Sequence, residues 1–316
     1  MLNIVLFLAT VLIWGATWIA IAMQVGPVPV LVSILYRFAL AALVVMGALA
    51  FSGRLAVPER RHQPFLAGMA LCLFSMNFVC FYNAARFVPS GLISVVFSLA
   101  TIYNAVNGRI LFGDRVTGRI LVAAALGAGG VLLLFGRDIL VELDANALKG
   151  VGLSALGTMF FSLGNMISRR NSAAGLPLLT ANAWSMAYGA VFLLALIAFT
   201  RTPIVAPPDA RYIAALLFLA ILGSAVAFTA YLTLVQRIGS ARAAYATVLF
   251  PIVALTLSTL FEGYRWTWLG TLGLALCLLG NAVMFAPDRR GRLGRAGAGA
   301  TPRFRFANLE EEKKRG

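Results

Sequence analysis

Breaks at glycine, proline and charge clusters divide residues 3–286 into ten apolar runs, each of about 20 residues, the length that crosses the hydrocarbon core of a bilayer. The runs are 3–23, 29–51, 65–86, 90–112, 118–136, 149–168, 177–199, 212–235, 241–262 and 267–286. With 61% hydrophobic and 12% charged residues, the chain has too little polar surface to cover so much apolar sequence in water. A polytopic all-α integral membrane protein follows, because a chain crossing lipid must satisfy its backbone hydrogen bonds within each span. Leu2 to Ala22 reads as a first span rather than a cleaved signal, since no small-residue cleavage site and soluble stretch follow it. Cys72, Cys80 and Cys277 all fall inside apolar runs and read as small core residues, not disulfides.

The chain also matches itself. Residues 96–135 return as 246–285, with Gly113 falling on Gly263, Thr117 on Thr267 and Gly130 on Gly280. This predicts two repeats, 1–137 and 148–286, of five helices each. Five is odd, so the second repeat enters the membrane from the opposite side. Inverted repeats of this kind are a recurring plan of secondary transporters. Arginine and lysine placement predicts the same orientation. With the N-terminus inside, ten basic residues lie in inner segments and six in outer ones, and the tail adds nine more inside. Both termini are expected in the cytoplasm. The formal net charge of +15 therefore reflects topology rather than nucleic-acid binding. Residues 287–316 are rich in Gly and Arg and read as a disordered cytoplasmic tail, able to touch anionic lipid headgroups.

Several motifs carry a resemblance. The first run holds Trp14-Gly15-Ala16-Thr17-Trp18 and the second Tyr36-Arg37-Phe38. The fourth ends on Gly113-Asp114, and in the ninth Pro251 is followed twelve residues later by Gly263. In this order the chain resembles the drug/metabolite transporter superfamily, in particular its EamA-type ten-helix exporters, over residues 1–286. It departs from the family pattern at Thr101, which stands where the second repeat has Pro251, and at Glu262-Gly263-Tyr264, where the acid is displaced. The resemblance implies export of small organic solutes by alternating access. Amino acids are common substrates in the group, and the aromatic amino-acid exporters are the nearest comparison. A multidrug or other metabolite exporter is the alternative within the superfamily.

Candidate cavity residues follow from polarity and aromaticity at mid-membrane depth. Ser94, Ser98 and Thr101 share one face of the fourth run, and Pro251 lies on its repeat-mate. Close helix packing explains such small residues at least as well as a cavity. Asn77, Tyr82, Asn165 and Thr17 are polar groups that hydrocarbon tolerates only with a partner or water. Trp14, Phe81, Tyr103, Phe161, Trp184, Tyr231 and Tyr245 would suit an apolar or aromatic solute, although aromatic residues near helix ends are ordinary interfacial anchors. Arg37 is the only basic residue well inside a span. It either receives a substrate carboxylate or ties its helix to backbone carbonyls and snorkels outward.

No Asp or Glu occupies the middle of a run, and the single histidine, His62, lies in a predicted cytoplasmic loop. The chain is therefore expected to run without a titrating side chain in its core, and without a metal or cofactor. An intramembrane enzyme is disfavoured by the lack of a Gly-x-Ser-x-Gly or His-Glu-x-x-His pattern. A channel is disfavoured by the lack of a charged ring or carbonyl filter. The expected partners are a small solute and the lipid bilayer, with the chain a monomer or weak homodimer.

Overall fold

The computed structural model describes residues 2–136, 144–238 and 245–285, and all of the regular structure in them is helical. The tail from Pro287, the joint at Gly239 and residues 241–244 of the predicted ninth run lie outside the described residues. The helical stretches are α1 (Leu2–Gln24), α2 (Val30–Phe51), α3 (Arg60–Ala84), α4 (Ser90–Phe112), α5 (Gly118–Gly136), α6 (Ala145–Ala173) and α7 (Leu178–Thr200). They continue as α8 (residues 210–238), α9 (Tyr245–Phe261) and α10 (Trp268–Phe285). The first seven are each long and apolar enough to cross a membrane, and the last three contain shorter apolar helices. Apolar side chains point outward along the rods: Leu43 is 71% exposed and Leu121 63%. Only a bilayer makes such a surface stable, so this is a multi-pass membrane protein.

Local chemistry sets the ends. Pro29, Pro89 and Pro177 stand just before α2, α4 and α7, where a missing N–H is harmless and a fixed φ starts the turn. Asp144 and Asp209 cap α6 and α8 by accepting from the Asn146 and Tyr212 amides at 2.8 and 2.7 Å. Gly113 and Gly263, one repeat apart, follow α4 and α9 in the left-handed region at φ +76° and +71°, where a Cβ would be strained.

Two irregularities differ from the simple rods expected. The helix α4 turns at Ser98–Leu99, dividing Ser90–Phe97 from Ala100–Phe112, although this copy lacks the proline. Its mate α9 is one helix despite Pro251. In α4 the hydroxyls of Ser94 and Ser98 donate to the carbonyls of Gly91 and Val95 at 2.6 and 2.7 Å, and such back-bonding bends a helix. In addition, π-type turns interrupt α3 at Cys72–Met76 and α8 at Phe218–Val226, at matching places in the repeat. These segments widen the helix locally and are common at working parts of proteins.

Helix contacts recur with their partners exchanged across the 150-residue shift. Gly130 of α5 abuts Gly273 of α10, and Gly280 of α10 abuts Ala123 of α5. Moving up one helix means moving down the other, so the two run antiparallel. Between them, the Gly127 carbonyl accepts from the Cys277 thiol at 3.6 Å. Gly164 of α6 packs on Leu73 of α3, and their shifted counterparts, Trp14 of α1 and Gly223 of α8, share a hydrogen bond of 2.9 Å. Asn165 of α6 donates to Asn104 of α4 at 3.4 Å, while Gly15 of α1 lies against Val253 of α9, one residue from the exact counterpart.

Candidate solute site

The centre of the bundle is filled with aromatic rings from helices of both halves. Trp18 of α1 meets Phe81 of α3 and Phe97 of α4, each at 5.3 Å between centroids. Phe97 meets Phe81 at 5.6 Å and Phe161 of α6 at 4.7 Å. Most of these contacts are edge-to-face or tilted, as ring quadrupoles prefer. A second group joins Trp14 to Tyr231 of α8 at 5.2 Å and to Phe250 of α9 at 5.6 Å. The Trp14 indole donates to the Gly223 carbonyl in the π-type turn of α8.

The expected residues divide between these groups and other surroundings. Phe81 and Phe161 lie in the central column, and Trp14 and Tyr231 in the second group. Pro251 is buried beside Phe250, and Tyr103 is partly exposed. Ser94 and Ser98 are buried with their hydroxyls bonded to their own helix, as is that of Thr17, which donates to the Trp14 carbonyl at 2.6 Å. Thr101 donates to Asn281 of α10 at 2.9 Å. Asn77 is buried, its side-chain oxygen accepting from the Phe78 amide at 2.8 Å. Trp184 stands apart: its indole donates to the Ala56 carbonyl in the α2–α3 loop at 3.0 Å, beside Tyr188. The Tyr245 side chain is outside those described.

Sequence reading missed Phe97, which sits in the Ser stripe, and missed Gln24, Ser33 and Tyr212, which join the expected Tyr82 in a buried polar cluster near the ends of α1 and α3 and the starts of α2 and α8. There Tyr82 donates to Gln24 at 2.7 Å and Tyr212 donates to Ser33 at 2.7 Å. Arg37, one helical turn after Ser33, is 4% exposed, so it does not snorkel. Its guanidinium packs on the ring of Phe78 at 4.3 Å, near the Tyr82 side chain. The spacing of Ser33 from Arg37 was the one available signal for this shared face.

A carboxylate ties helices together at each end of the bundle. At the end where α9 stops and α4 begins, Glu262 accepts from the Ser90 amide at 3.0 Å and the Ser90 hydroxyl at 2.7 Å, and from the Ser258 hydroxyl. A carboxylate there meets the unpaired N–H groups and positive dipole end of α4. It borders a cavity of about 380 Å³ lined by Ile19, Met23, Arg86, Arg211 and Glu262. At the opposite end Asp114, after α4, takes a two-pronged contact from Arg169 of α6 at 2.5 and 3.1 Å. Arg169 also lies over Phe112 at 4.2 Å. Near that end Asn107 donates to Ser162 at 2.9 Å. These short-range polar contacts can be exchanged for water at modest cost, and the rings present an apolar surface.

The profile of the EamA-like transporter family matches residues 1–136 and 148–286. A probable amino-acid metabolite efflux pump of Escherichia coli (strain K12) is 27% identical over 87% of this chain and 92% of its own. The uncharacterized inner membrane transporter YedA of the same strain is 27% identical over 86% of this chain and 88% of its own. A solved crystal structure shares the fold, with a TM-score of 0.63 at 19% identity over 89% of this chain and 95% of that one. The profile matches the two halves of the chain separately, as the sequence repeat does. The chain belongs to the EamA-like transporter family and is a secondary transporter of small organic solutes, not an enzyme.

Proposed function

We propose that the chain exports amino acids, aromatic ones included, across the bacterial inner membrane by alternating access of two inverted five-helix repeats. The observation that carries this reading is the aromatic packing assembled from both halves: Trp14, Trp18, Phe81 and Phe97 from the first, and Phe161, Tyr231 and Phe250 from the second. Burying a solute ring of roughly 150 Å² there is worth about 3–4 kcal/mol, comparable to one charge-assisted hydrogen bond at about 1.5–3 kcal/mol. An amino acid with an apolar side chain uses both kinds of contact. The relative named as a probable amino-acid metabolite efflux pump supports the substrate class, and the inner membrane transporter supports the location.

The exchanged contacts between α5 and α10, α3 and α6, and α1 and α8 support the inversion. In this topology both termini are cytoplasmic, Glu262 closes the outer end and Asp114–Arg169 the inner end. The glycine faces of α5 and α10 are used against each other, leaving none of that seam for a partner, which supports a monomer.

Purified chain in liposomes, tested with a panel of radiolabelled amino acids and amines, is expected to give saturable flux of phenylalanine, tyrosine or tryptophan, self-competed by unlabelled solute. Flux of organic cations without any amino-acid flux would replace this substrate class with that of a multidrug exporter.

A further inference from the structure

The polar cluster around Arg37 has its acceptors satisfied and its donors left over. Gln24 Oε1 accepts from Tyr82, and Ser33 pairs with Tyr212. Yet Arg37 Nε, Arg37 Nη1 and Gln24 Nε2 are buried and meet no partner. Among the described residues no carboxylate pairs with Arg37. A buried guanidinium without a counter-charge is costly, and two of its nitrogens, Nε and Nη1, are open. Backbone carbonyls do not tie it down, and at 4% exposure it does not reach water. Three leftover N–H donors and a fixed positive charge suit a ligand that only accepts, and a planar fork suits one with two oxygens.

The apolar surroundings extend the site in one direction. Arg37 lies over Phe78 at 4.3 Å and Phe38 at 5.2 Å. Phe78 reaches Phe81 at 6.1 Å, and Phe81 reaches Trp18 at 5.3 Å. The row of rings leads from the centre of the bundle to the guanidinium without a break.

We propose that Arg37, packed on Phe78, and Gln24, held by Tyr82, form a carboxylate-binding subsite for the transported solute, whose apolar body lies along Phe78, Phe81 and Trp18. This rests on the transporter reading but not on the choice of amino acids. In the conformation described the subsite is closed, and the solute enters when α1 and α3 part. The open N–H groups of the guanidinium and the Gln24 amide donate to the carboxylate oxygens.

Three probes with one phenyl group separate the contributions: 3-phenylpropionate carries only the acid, 2-phenylethylamine only the amine, and L-phenylalanine both. Equilibrium binding to the purified full chain is compared for wild type, Arg37→Met, Arg37→Lys and Gln24→Leu. The acid-bearing probes are expected to bind wild type and to lose at least tenfold affinity in Arg37→Met, several-fold in Gln24→Leu, and an intermediate amount in Arg37→Lys. Binding of the amine, whatever its strength, is expected to stay within twofold. Thermal unfolding of Arg37→Met is expected at or above the wild-type temperature, because the open N–H groups have no partner to lose. Three results would each overturn the subsite: equal loss for all three probes, a fall in Tm of more than a few degrees, or no binding of either acid to wild type. If 3-phenylpropionate binds through Arg37 and phenylalanine does not, the subsite stands and the amino-acid reading falls. If phenylalanine is carried by Arg37→Met with unchanged affinity, the reading stands and the subsite falls.

Discussion

Trp14 links the two halves through one indole hydrogen bond and two ring contacts. Replacing it with Phe keeps most of the ring area and removes the bond to the Gly223 carbonyl. We expect a loss of about 1 kcal/mol, and about 3–5 kcal/mol for Trp14→Ala, read as falls in unfolding temperature in detergent. Trp14 was legible in the sequence because a tryptophan in the first span is a strong and specific mark. Gln24 and Tyr212 were not, since their hydrogen bonds join residues 58 and 179 positions away. Ser94 and Ser98 were legible as one face of α4, but not the direction of their hydroxyls, which turn to their own backbone because no buried partner competes for them. Arg37 shows the same division. Its depth was readable, while its contact with Phe78 and its unpaired N–H groups came only from the packing of α2 on α3.

Between elements, the α5–α10 seam brings two helix backbones close together. A Cβ at Gly130 would lie 2.5 Å from both the Gly273 carbonyl oxygen and the Cys277 sulfur, so no side chain fits without separating the helices. Gly130→Leu is expected to cost about 1–3 kcal/mol or more and to lower the yield of folded protein, measured by the unfolding temperature and the monodisperse fraction after extraction. Gly129, one residue away, has open space, and Gly129→Leu serves as the control that should leave both unchanged within error. The glycine pattern on both helices was visible in the sequence; whether the seam lay within one chain or between two was not. The turn in α4 went against expectation. Serine back-bonds bend the copy without proline, and the copy with Pro251 stays a single helix because neighbouring helices hold it in place.

Across the whole molecule, the two carboxylate closures sit at opposite ends of one bundle. The Asp114–Arg169 pair is 38–43% exposed, so water screens it and it contributes little to stability. Its value is positional, holding the end of α4 against α6. Replacing both residues with cysteine and joining them by a reducible bis-thiosulfonate linker is expected to reduce flux at least tenfold, with recovery on reduction. The native cysteines are buried and should not react under the same conditions. Undiminished flux in the linked protein would mean that this end does not open during transport.

The sequence by itself determined the class of the molecule: its membrane spans, its repeat and its charge bias. These depend on composition and periodicity, which act locally and survive any arrangement of the helices. Only the tertiary structure decided which rings meet in the middle, which helix end Glu262 covers, and that Arg37 is left with donors to spare. The reason is physical. In lipid every helix is stable alone, so apolar pattern cannot choose partners, and pairing is decided by side-chain shape and by polar groups seeking partners across helices far apart in sequence.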